Sequence, residues 1–322
     1  MIRFERPEDF RVEELPLYPP GGEGGHTFVR VEKRLRTTED VARELARAAG
    51  VKPGDVGFAG RKDRMSISSQ WFSVPGLAPE AAVALELQDA RVLEAAAHPH
   101  KLRTGHLAAN RFTLVVRDAE PAALAAASQR LARLVESGMP NRFGGQRFGR
   151  DGDNAEQGRR VLAGEAQVRD RRRARFLVSA LQAEVFNAVL AERLSDLVTL
   201  EAGDVAVVHE SGGQFVVEDL EAEAPRAAAF EISATGPIFG VKVISPAGVV
   251  AEREARIALA CGVPENPKPP RGIRMRGARR SLRVRPRDAE ARVADEELHL
   301  QFTLPPGSYA TVLLEELLRK DG

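Results

Sequence analysis

The sequence predicts an α+β fold with a largely antiparallel sheet, and three observations lead to this class. Strand and helix patterns follow one another without the regular βαβ repeat that a parallel sheet requires. Several segments alternate apolar and polar residues with a period of two, which is typical of half-buried strands. Hydrophobic residues make up 43% and charged residues 29% of the 322 residues, which is ordinary for a folded chain with one large domain or two.

The first half of the chain contains an ordered series of strand and helix signals. A strand at 28–33 is followed by a helix that Thr37 or Thr38 opens and Gly50 ends. Alternating or short apolar runs predict strands at 56–59, 70–74 and 111–117, and an alanine-rich stretch predicts a helix at 121–136. The residues 60–64, between two of these strands, are expected to form a loop.

The second half of the chain differs in composition, because glycine and arginine become frequent between 141 and 152. A Pro-Pro-Gly turn near the end leads to Ser308, which is expected to cap the last helix. The other elements predicted here are helices at 154–163, 175–194 and 249–261 and strands at 204–208, 214–218, 239–244 and 298–304.

The charge is uneven although the net charge is only +1. Lysine accounts for 7 of the 47 basic residues, which leaves 40 arginines, a side chain that binds phosphate bidentately and stacks on bases. Arginines cluster at 169–175 and at 271–287, and the second cluster contains eight arginines and no acidic residue. These clusters favour an anionic partner such as RNA, with Arg279 and Arg280 as candidate backbone contacts; a solvated surface is the alternative.

Several classes of function are disfavoured by the composition. A charged N-terminus without an apolar region argues against a secretory signal, and no apolar run approaches the ~20 residues of a membrane span. The single cysteine, Cys261, fits a reducing cytoplasm. His98, His100 and His106 have no cysteine or carboxylate at ligand spacing, so no metal site is expected. The glycine-rich segment 19–25 lacks the ending of a phosphate loop and is interpreted as a mobile turn.

The segment 57–72 carries the most specific chemical signal. It places one carboxylate, Asp63, among the cations Arg61, Lys62 and Arg64 at the end of an apolar strand. Adjacent cations favour the ionised carboxylate and would attract RNA phosphate. A charged β-turn is the alternative, because structural ion pairs are common.

This segment resembles the A-G-x-K-D motif of the TruD family of tRNA pseudouridine synthases, which Ala59, Gly60, Lys62 and Asp63 match. Four further segments resemble the family's other motifs in the same order, and they lie at 7–14, 101–112, 140–149 and 304–311. The resemblance therefore spans nearly the whole chain. The sequence departs from the family pattern at Phe4, where many relatives carry lysine, and at Arg142, which replaces a tyrosine.

The resemblance implies which residues act. It makes Asp63 the catalytic carboxylate, with Lys62 and Arg61 beside it as substrate-binding residues. It implies that Phe112 stacks on the flipped uracil and that Asn110 hydrogen-bonds nucleotide edges. A buried core residue is the alternative for Phe112, because it shares a strand face with Leu114 and Val116. Gln146 and Arg147, in a glycine-rich loop, are implied as further substrate contacts.

The resemblance also implies a pseudouridine-synthase-type core and a reaction. The core would use 1–142 and 278–322, with an inserted α+β domain at 143–277. The enzyme would convert a tRNA uridine, uridine 13 in the D arm, to pseudouridine as a cytoplasmic monomer without a cofactor. A single carboxylate would stabilise the electron-poor C1′, either as a covalent sugar ester or along a glycal route. The alternatives are a catalytically silent RNA-binding protein and an Asp-dependent nucleoside hydrolase.

Overall fold

The computed structural model describes residues 4–265, 267–270, 272–273 and 275–319. The elements of the first part of the chain are β1 (Phe10–Pro16), β2 (His26–Arg34), α1 (Thr38–Ala48), β3 (Gly57–Phe58), β4 (Ile67–Pro75), α2 (Pro79–Val83), β5 (Glu86–Leu87), β6 (Ala90–His98), β7 (Leu107–Val116) and α3 (Pro121–Ser137). Those of the remainder are β8 (Met139–Pro140), α4 (Asn154–Ala163), α5 (Arg171–Glu192), β9 (Val205–Val208), β10 (Gln214–Val216), α6 (Leu220–Ala228), β11 (Ile232–Ile238), α7 (Gly248–Ala260), β12 (Ala278–Ser281), β13 (Arg283–Val284), β14 (Arg287–Ala294), β15 (Glu297–Leu304) and α8 (Ala310–Leu318).

The chain divides into two compact units. The first unit comprises Met1–Ala132, Pro286–Ala310 and Leu314–Gly322, and the second comprises Arg133–Arg285 and Thr311–Leu313. The sequence-based boundaries, 142/143 and 277/278, lie about ten residues inside those of the second unit.

A nine-stranded sheet forms the frame of the first unit. Its strand order is β14-β15-β7-β1-β4-β2-β6-β5, with β3 added to β4. Every pairing is antiparallel except that of β1 with β4. The prediction of an α+β fold with a largely antiparallel sheet is confirmed.

Helix α1 packs on one face of this sheet. Val41 and Leu45 of the helix join Val29 and Val31 of β2 and Phe72 of β4 in one buried apolar cluster. The helix begins where the sequence predicts, because the Thr37 hydroxyl accepts from the Asp40 backbone N–H and the Asp40 carboxylate accepts in return from the Thr37 N–H.

The second unit is built around α5. This helix packs against α4, α7 and β11, and the four-stranded sheet of this unit has the order β10-β9-β11-β12. By length and composition α5 could cross a membrane, contrary to the expectation from the sequence. Eleven of its residues are buried inside the protein, as in the core helix of a folded domain.

Two local predictions are wrong. Residues 239–244 do not form a strand, because the backbone turns at Gly240 and at Lys242, whose φ angle is 60°. The sequence's apolar pattern there reflects Phe239, which packs inward, and Val241, which is exposed. Ser308 does not occupy the cap position of α8, where Tyr309 lies instead.

Candidate active site

Asp63 lies in an exposed loop that is fixed by its backbone. The Asp63 carbonyl oxygen accepts hydrogen bonds from Lys33 Nζ at 2.9 Å and from the Ser66 hydroxyl at 2.7 Å. Ala59, at the start of the loop, is buried, and its carbonyl accepts from the Gly105 N–H at 2.8 Å. The loop is therefore anchored at both ends while the Asp63 residue itself is exposed.

Buried polar groups hold the middle of the same loop. The backbone N–H of Lys62 donates to the Thr38 hydroxyl, which donates in turn to Gln70 Oε1 at 2.8 Å. Gln70 Nε2 donates to the Gly60 carbonyl at 3.1 Å. Because every member has a partner, this network fixes the loop on β4 and on the first turn of α1.

Lys62 and Arg61 differ in what they can do. The Lys62 ammonium lies 2.5 Å from Glu14 Oε2, and the two side chains are 6% and 1% exposed. This buried ion pair helps to hold the loop, and the role of Lys62 as a nucleotide contact stays a prediction. Arg61 is 75% exposed and pairs with Glu39 at the surface. A surface ion pair contributes little to stability, so Arg61 can exchange Glu39 for a phosphate group.

Lys33 is a buried cation beneath the loop. It is 1% exposed and donates to the carbonyl oxygens of Arg36 and Asp63. Burial lowers the pKa of Lys33 to about 8, and the negative charge of Asp63 offsets part of this effect. The geometry thus pairs the candidate catalytic carboxylate with an internal cation whose charge is lost only a little above neutral pH.

One row of side chains crosses five strands and connects Lys33 with Phe112. The strand registers pair Phe302 with Phe112, Phe112 with Val12, Val12 with Ser68 and Ser68 with Lys33. Residues paired across strands lie on the same face, so all five share one face of the sheet. Three strand spacings separate Lys33 from Phe112, which amounts to about 14 Å.

Asn110 belongs to the next row on this face. It pairs with Glu14 of β1 and with Leu304 of β15. Asn110 Oδ1 and the Ser68 hydroxyl are both buried without a hydrogen-bond partner among the described residues. Unsatisfied buried polar atoms are rare in native folds and often mark a functional site. Ser68 lies on β4 and Asn110 on β7, on the sheet face that also carries Lys33 and Phe112.

The structure favours the core alternative for Phe112. The residue is 7% exposed, and its ring stacks on that of Phe302 with centroids 5.2 Å apart and contacts the edge of Phe10 at 6.2 Å. One ring face is therefore already covered. Stacking on an extruded base requires that the other face be uncovered when RNA binds.

Gln146 and Arg147 lie in the second unit, in a short 3-10 turn (Gly145–Arg147). Gln146 is exposed. Arg147 is half-buried; its guanidinium lies 5.3 Å from the ring centre of Phe143 and 5.7 Å from that of Phe176, and it donates to the Ser179 hydroxyl.

The described arginines of the cluster at 271–287 include buried, half-buried and exposed side chains, and the RNA contacts of Arg279 and Arg280 stay a prediction. Arg279 is buried and forms a bidentate ion pair with Glu254, at 2.6 and 2.7 Å. Arg280 is half-buried, bonds to Asn141 and lies over the Phe143 ring at 4.2 Å. Arg283 is 1% exposed and donates to backbone carbonyls. Arg271 and Arg274 lie outside the described residues.

Sequence reasoning missed Lys33, Glu14, Thr38 and Gln70. Glu14 falls within the segment that matches a family motif, so a signal for it existed. Lys33 sits in an alternating strand at a position that reads as solvent-facing. In the part of the chain that the structure describes, no group of three or more His, Cys, Asp and Glu side chains is arranged to hold a metal.

Comparison with known proteins agrees with the sequence motifs. Residues 2–169 and 167–317 match the family model described as tRNA pseudouridine synthase D (TruD). A tRNA pseudouridine synthase D of Anaeromyxobacter sp. is 45% identical over 97% of this chain and 91% of the relative. One of Thermus thermophilus is 42% identical over 99% of this chain and 88% of the relative.

The fold is shared with a solved structure as well. A crystal structure from Methanosarcina mazei, described as TruD, superimposes with a TM-score of 0.74, covering 98% of this chain and 93% of the other. The two sequences are 21% identical, so this likeness concerns the fold.

Proposed function

Because the chain belongs to the TruD family of tRNA pseudouridine synthases and is therefore a tRNA-modifying isomerase, we propose that it acts on uridine 13 of the D arm with Asp63 as its single catalytic aspartate. The observation that carries the assignment of Asp63 is its place: an exposed carboxylate in a loop whose backbone is clamped by Lys33, Ser66 and Gln70.

The proposed reaction needs one carboxylate and no external reagent. The bond between C1′ and N1 of uridine breaks, the uracil rotates, and a bond forms between C5 and C1′. N1 gains a proton and C5 loses one, so the reaction is balanced without an external reagent. The Asp63 carboxylate stabilises the electron-poor C1′, as carboxylates do in glycoside chemistry. We propose that no cofactor takes part.

Lys33 is proposed as a positioning residue for Asp63. Its ammonium holds the Asp63 peptide carbonyl, and the negative charge of Asp63 in turn favours the charged form of Lys33.

The other predicted site residues are each proposed to contact a different part of the tRNA. Asn110, with its unsatisfied Oδ1, hydrogen-bonds an edge of the flipped nucleotide. Arg61 pairs with phosphate, and Gln146 and Arg147 contact the tRNA from the second unit. Phe112 stacks on the uracil once its second face is uncovered. We further propose that the enzyme acts as a monomer in the cytoplasm, where tRNA is available.

The test uses tRNA whose uridines carry tritium at C5. A pseudouridine synthase releases this tritium, because C5 loses its hydrogen when it bonds to C1′. Asp63→Asn keeps the shape of the side chain and removes its charge, so tritium release should cease while tRNA binding stays within a few-fold of the wild-type value. Asp55→Asn, an exposed aspartate in the turn before β3, serves as the matched control and should release tritium normally.

The outcomes separate the candidate functions. A silent RNA-binding protein or a hydrolase that only breaks the C1′–N1 bond would release no tritium from the wild-type protein. Release near the wild-type rate from purified Asp63→Asn protein would refute the assignment of Asp63. Undiminished release from tRNA that lacks uridine 13 would refute the proposed target.

A further inference from the structure

A cavity of about 500 Å³ lies in the first unit, outside the loop that carries Asp63. Five of its seven lining residues are basic or titratable to a cation, and they are His26, His100, Lys101, Arg103 and His106. Tyr18 and Pro99 complete the lining, so no acidic side chain of a described residue lines the cavity. Such a concentration of cationic groups without counter-ions is the composition of an anion site.

The cavity is built on a rigid base. His98 is buried, and its ring stacks against that of Phe28, with centroids 4.0 Å apart, and against that of Tyr18, with centroids 5.3 Å apart. The Tyr18 hydroxyl bonds to His106 Nδ1 at 2.8 Å, which directs the other ring nitrogen of His106 away from this bond. The walls are therefore fixed by packing before any ligand arrives.

The glycine-rich segment 19–25 packs beside this base and is not the mobile turn that the sequence suggested. Its Gly22 N–H donates to the Ala97 carbonyl at 2.9 Å. Gly24 has a φ angle of 123° and lies against the backbone of His98 and Pro99, where an added Cβ would approach Pro99 Cα to 2.4 Å. Only glycine fits such a close approach. The acidic residue of the segment, Glu23, is exposed and does not line the cavity.

Several lining groups have hydrogen-bonding capacity to spare. His26 Nδ1 is buried without a hydrogen-bond partner. Arg103 is exposed, and its side chain makes no hydrogen bond or ion pair with a described residue. Lys101 uses one of its three donors on the Gly54 carbonyl. One phosphate group could accept hydrogen bonds from several of these donors simultaneously. Arginine and lysine are the usual phosphate-binding side chains.

The cavity is connected to the candidate catalytic loop by the main chain. The segment that carries Lys101 and Arg103 is fixed by the hydrogen bond from the Leu102 N–H to the Ser73 hydroxyl and by that from the Gly105 N–H to the Ala59 carbonyl. Ala59 precedes Asp63 by four residues. The segment that lines the cavity and the loop that carries Asp63 are therefore joined by a direct backbone hydrogen bond.

We infer that this cavity binds a backbone phosphate of the tRNA and thereby sets the register of the RNA relative to Asp63. The inference rests on tRNA being the substrate, and it does not depend on Asp63 being the catalytic residue. A phosphate contact of this kind positions the RNA and carries no sequence information itself.

The charge state of the site supports the inference. Burial lowers the pKa of His26, and the nearby Lys101, His98 and His100 lower it further. A bound phosphate would oppose these effects and raise the pKa of His26, so binding should take up a proton and strengthen as the pH falls from about 7.5 to 6. His106 and Tyr18 also line the cavity.

The experiment measures tRNA binding alone, as a function of salt concentration. The variant Arg103→Gln removes an exposed cation of the cavity, and Arg47→Gln removes an exposed cation on α1 as the matched control. We expect Arg103→Gln to weaken tRNA binding several-fold and to reduce the slope of log K against log salt by about 0.7–0.9, the value for one lost phosphate contact. The control should leave both quantities unchanged.

A second arm adds inorganic phosphate alone and follows the histidine ring signals by NMR. The signals of His26 and His100 should shift, and the pKa of His26 should rise. Equal salt slopes for Arg103→Gln and wild type overturn the inference; a phosphate response seen beside equal slopes identifies a site for a free anion instead. A change of slope in a protein that releases no tritium leaves the phosphate contact standing and refutes only the catalytic proposal.

Discussion

Lys33 has the most unusual electrostatic environment of the candidate site. A lysine on a strand face is normally solvated, yet this ammonium is buried and donates to two backbone carbonyls. Deprotonation of Lys33 leaves an amine that still donates one or two hydrogen bonds. What is lost above its pKa is therefore chiefly the positive charge that faces Asp63.

The first prediction concerns the pH dependence of the reaction. Because the pKa of Lys33 is about 8, the single-turnover rate should fall as the pH rises above 8. Lys33→Met removes the charge at all pH values, so its rate should be roughly tenfold or more lower at pH 7, equivalent to about 1.4 kcal/mol, and should be flat between pH 7 and 9. This is tested by measuring the rates of the wild type and of Lys33→Met between pH 7 and 9 under saturating conditions. An alkaline fall that persists unchanged in Lys33→Met would contradict the role of Lys33.

Loss of folding does not explain an alkaline fall that arises from Lys33. The pKa of Lys33 in the folded protein lies below its ordinary value of 10.5, so the folded state holds this proton less tightly than the unfolded chain. The burial penalty is fully present below pH 8 and is relieved as the pH rises towards 10.5. The contribution of this group to stability therefore increases over the same range in which the rate should fall.

Phe112 gives the second prediction, which separates packing from base stacking. Phe112→Ala should lower the free energy of unfolding by about 3–5 kcal/mol, because the ring fills space between Phe302 and Phe10. Phe302→Ala removes the stacked neighbour and is the matched control for packing. Urea unfolding and single-turnover rates are measured for both variants at a concentration of denaturant where both remain folded.

The two roles predict different rates. If Phe112 stacks on the uracil, its alanine variant should react about 5- to 150-fold more slowly than Phe302→Ala, corresponding to a stacking energy of ~1–3 kcal/mol. Phe112→Tyr should then keep most of the rate. Equal rates in the two alanine variants would leave Phe112 a core residue, and a buried tyrosine hydroxyl without a partner would then destabilise the fold.

Among single residues, those in short motifs could be predicted and those that act through distant pairing could not. Asp63 could be singled out because a lone carboxylate stands among three cations in a motif that resembles the family's, and its catalytic role stays a prediction. Lys33 is indistinguishable in sequence from the exposed Arg34 beside it, because its burial depends on the loop at 60–64 folding over β2. The burial of Arg279 was not apparent for the same reason, because its partner Glu254 lies on α7, 25 residues earlier.

At the level of elements, local signals and tertiary pairing explain which predictions succeeded. The start of helix α1 was predicted accurately because its capping box is formed by two residues close together in the sequence, Thr37 and Asp40. Strand β6 was not predicted, since Ala95, Ala96 and Ala97 have no strand preference. Its extended conformation follows from pairing with β2 along nearly its whole length. Strand β14, with the sequence RDAEARVA, is likewise fixed by β15.

The third prediction tests the link between β12 and α7. Arg279→Ala leaves the Glu254 carboxylate buried without its partner, which should cost about 3–5 kcal/mol of stability. Replacing both, Arg279→Met with Glu254→Leu, should recover most of this loss. Urea unfolding measures the stabilities. The salt dependence of tRNA binding should remain that of the wild type in the double variant, and a flatter slope would restore Arg279 as an RNA contact.

For the whole molecule, the fold class was predictable because it depends on the mixture of periodicities along the chain. The distribution of surface charge was harder to predict. Arginines that look alike in sequence divide between internal supports, such as Arg283, and exposed groups. The cluster at 169–175 belongs to the second kind, since all five of its arginines are exposed. With a net charge of +1, the protein must attract tRNA through such local groups and not through its total charge.

The last prediction follows from this distribution. Arg169, Arg172 and Arg175 are exposed and make no side-chain hydrogen bond or ion pair with a described residue. If each contacts one phosphate, replacing all three by glutamine should flatten the slope of log K against log salt by about 2–3. A control protein with Arg47, Arg91 and Arg292 changed to glutamine loses the same charge from exposed positions of the first unit. Equal slopes in the two triple variants would show that tRNA responds to net charge alone, whereas a change confined to the first would place the RNA backbone along the start of α5.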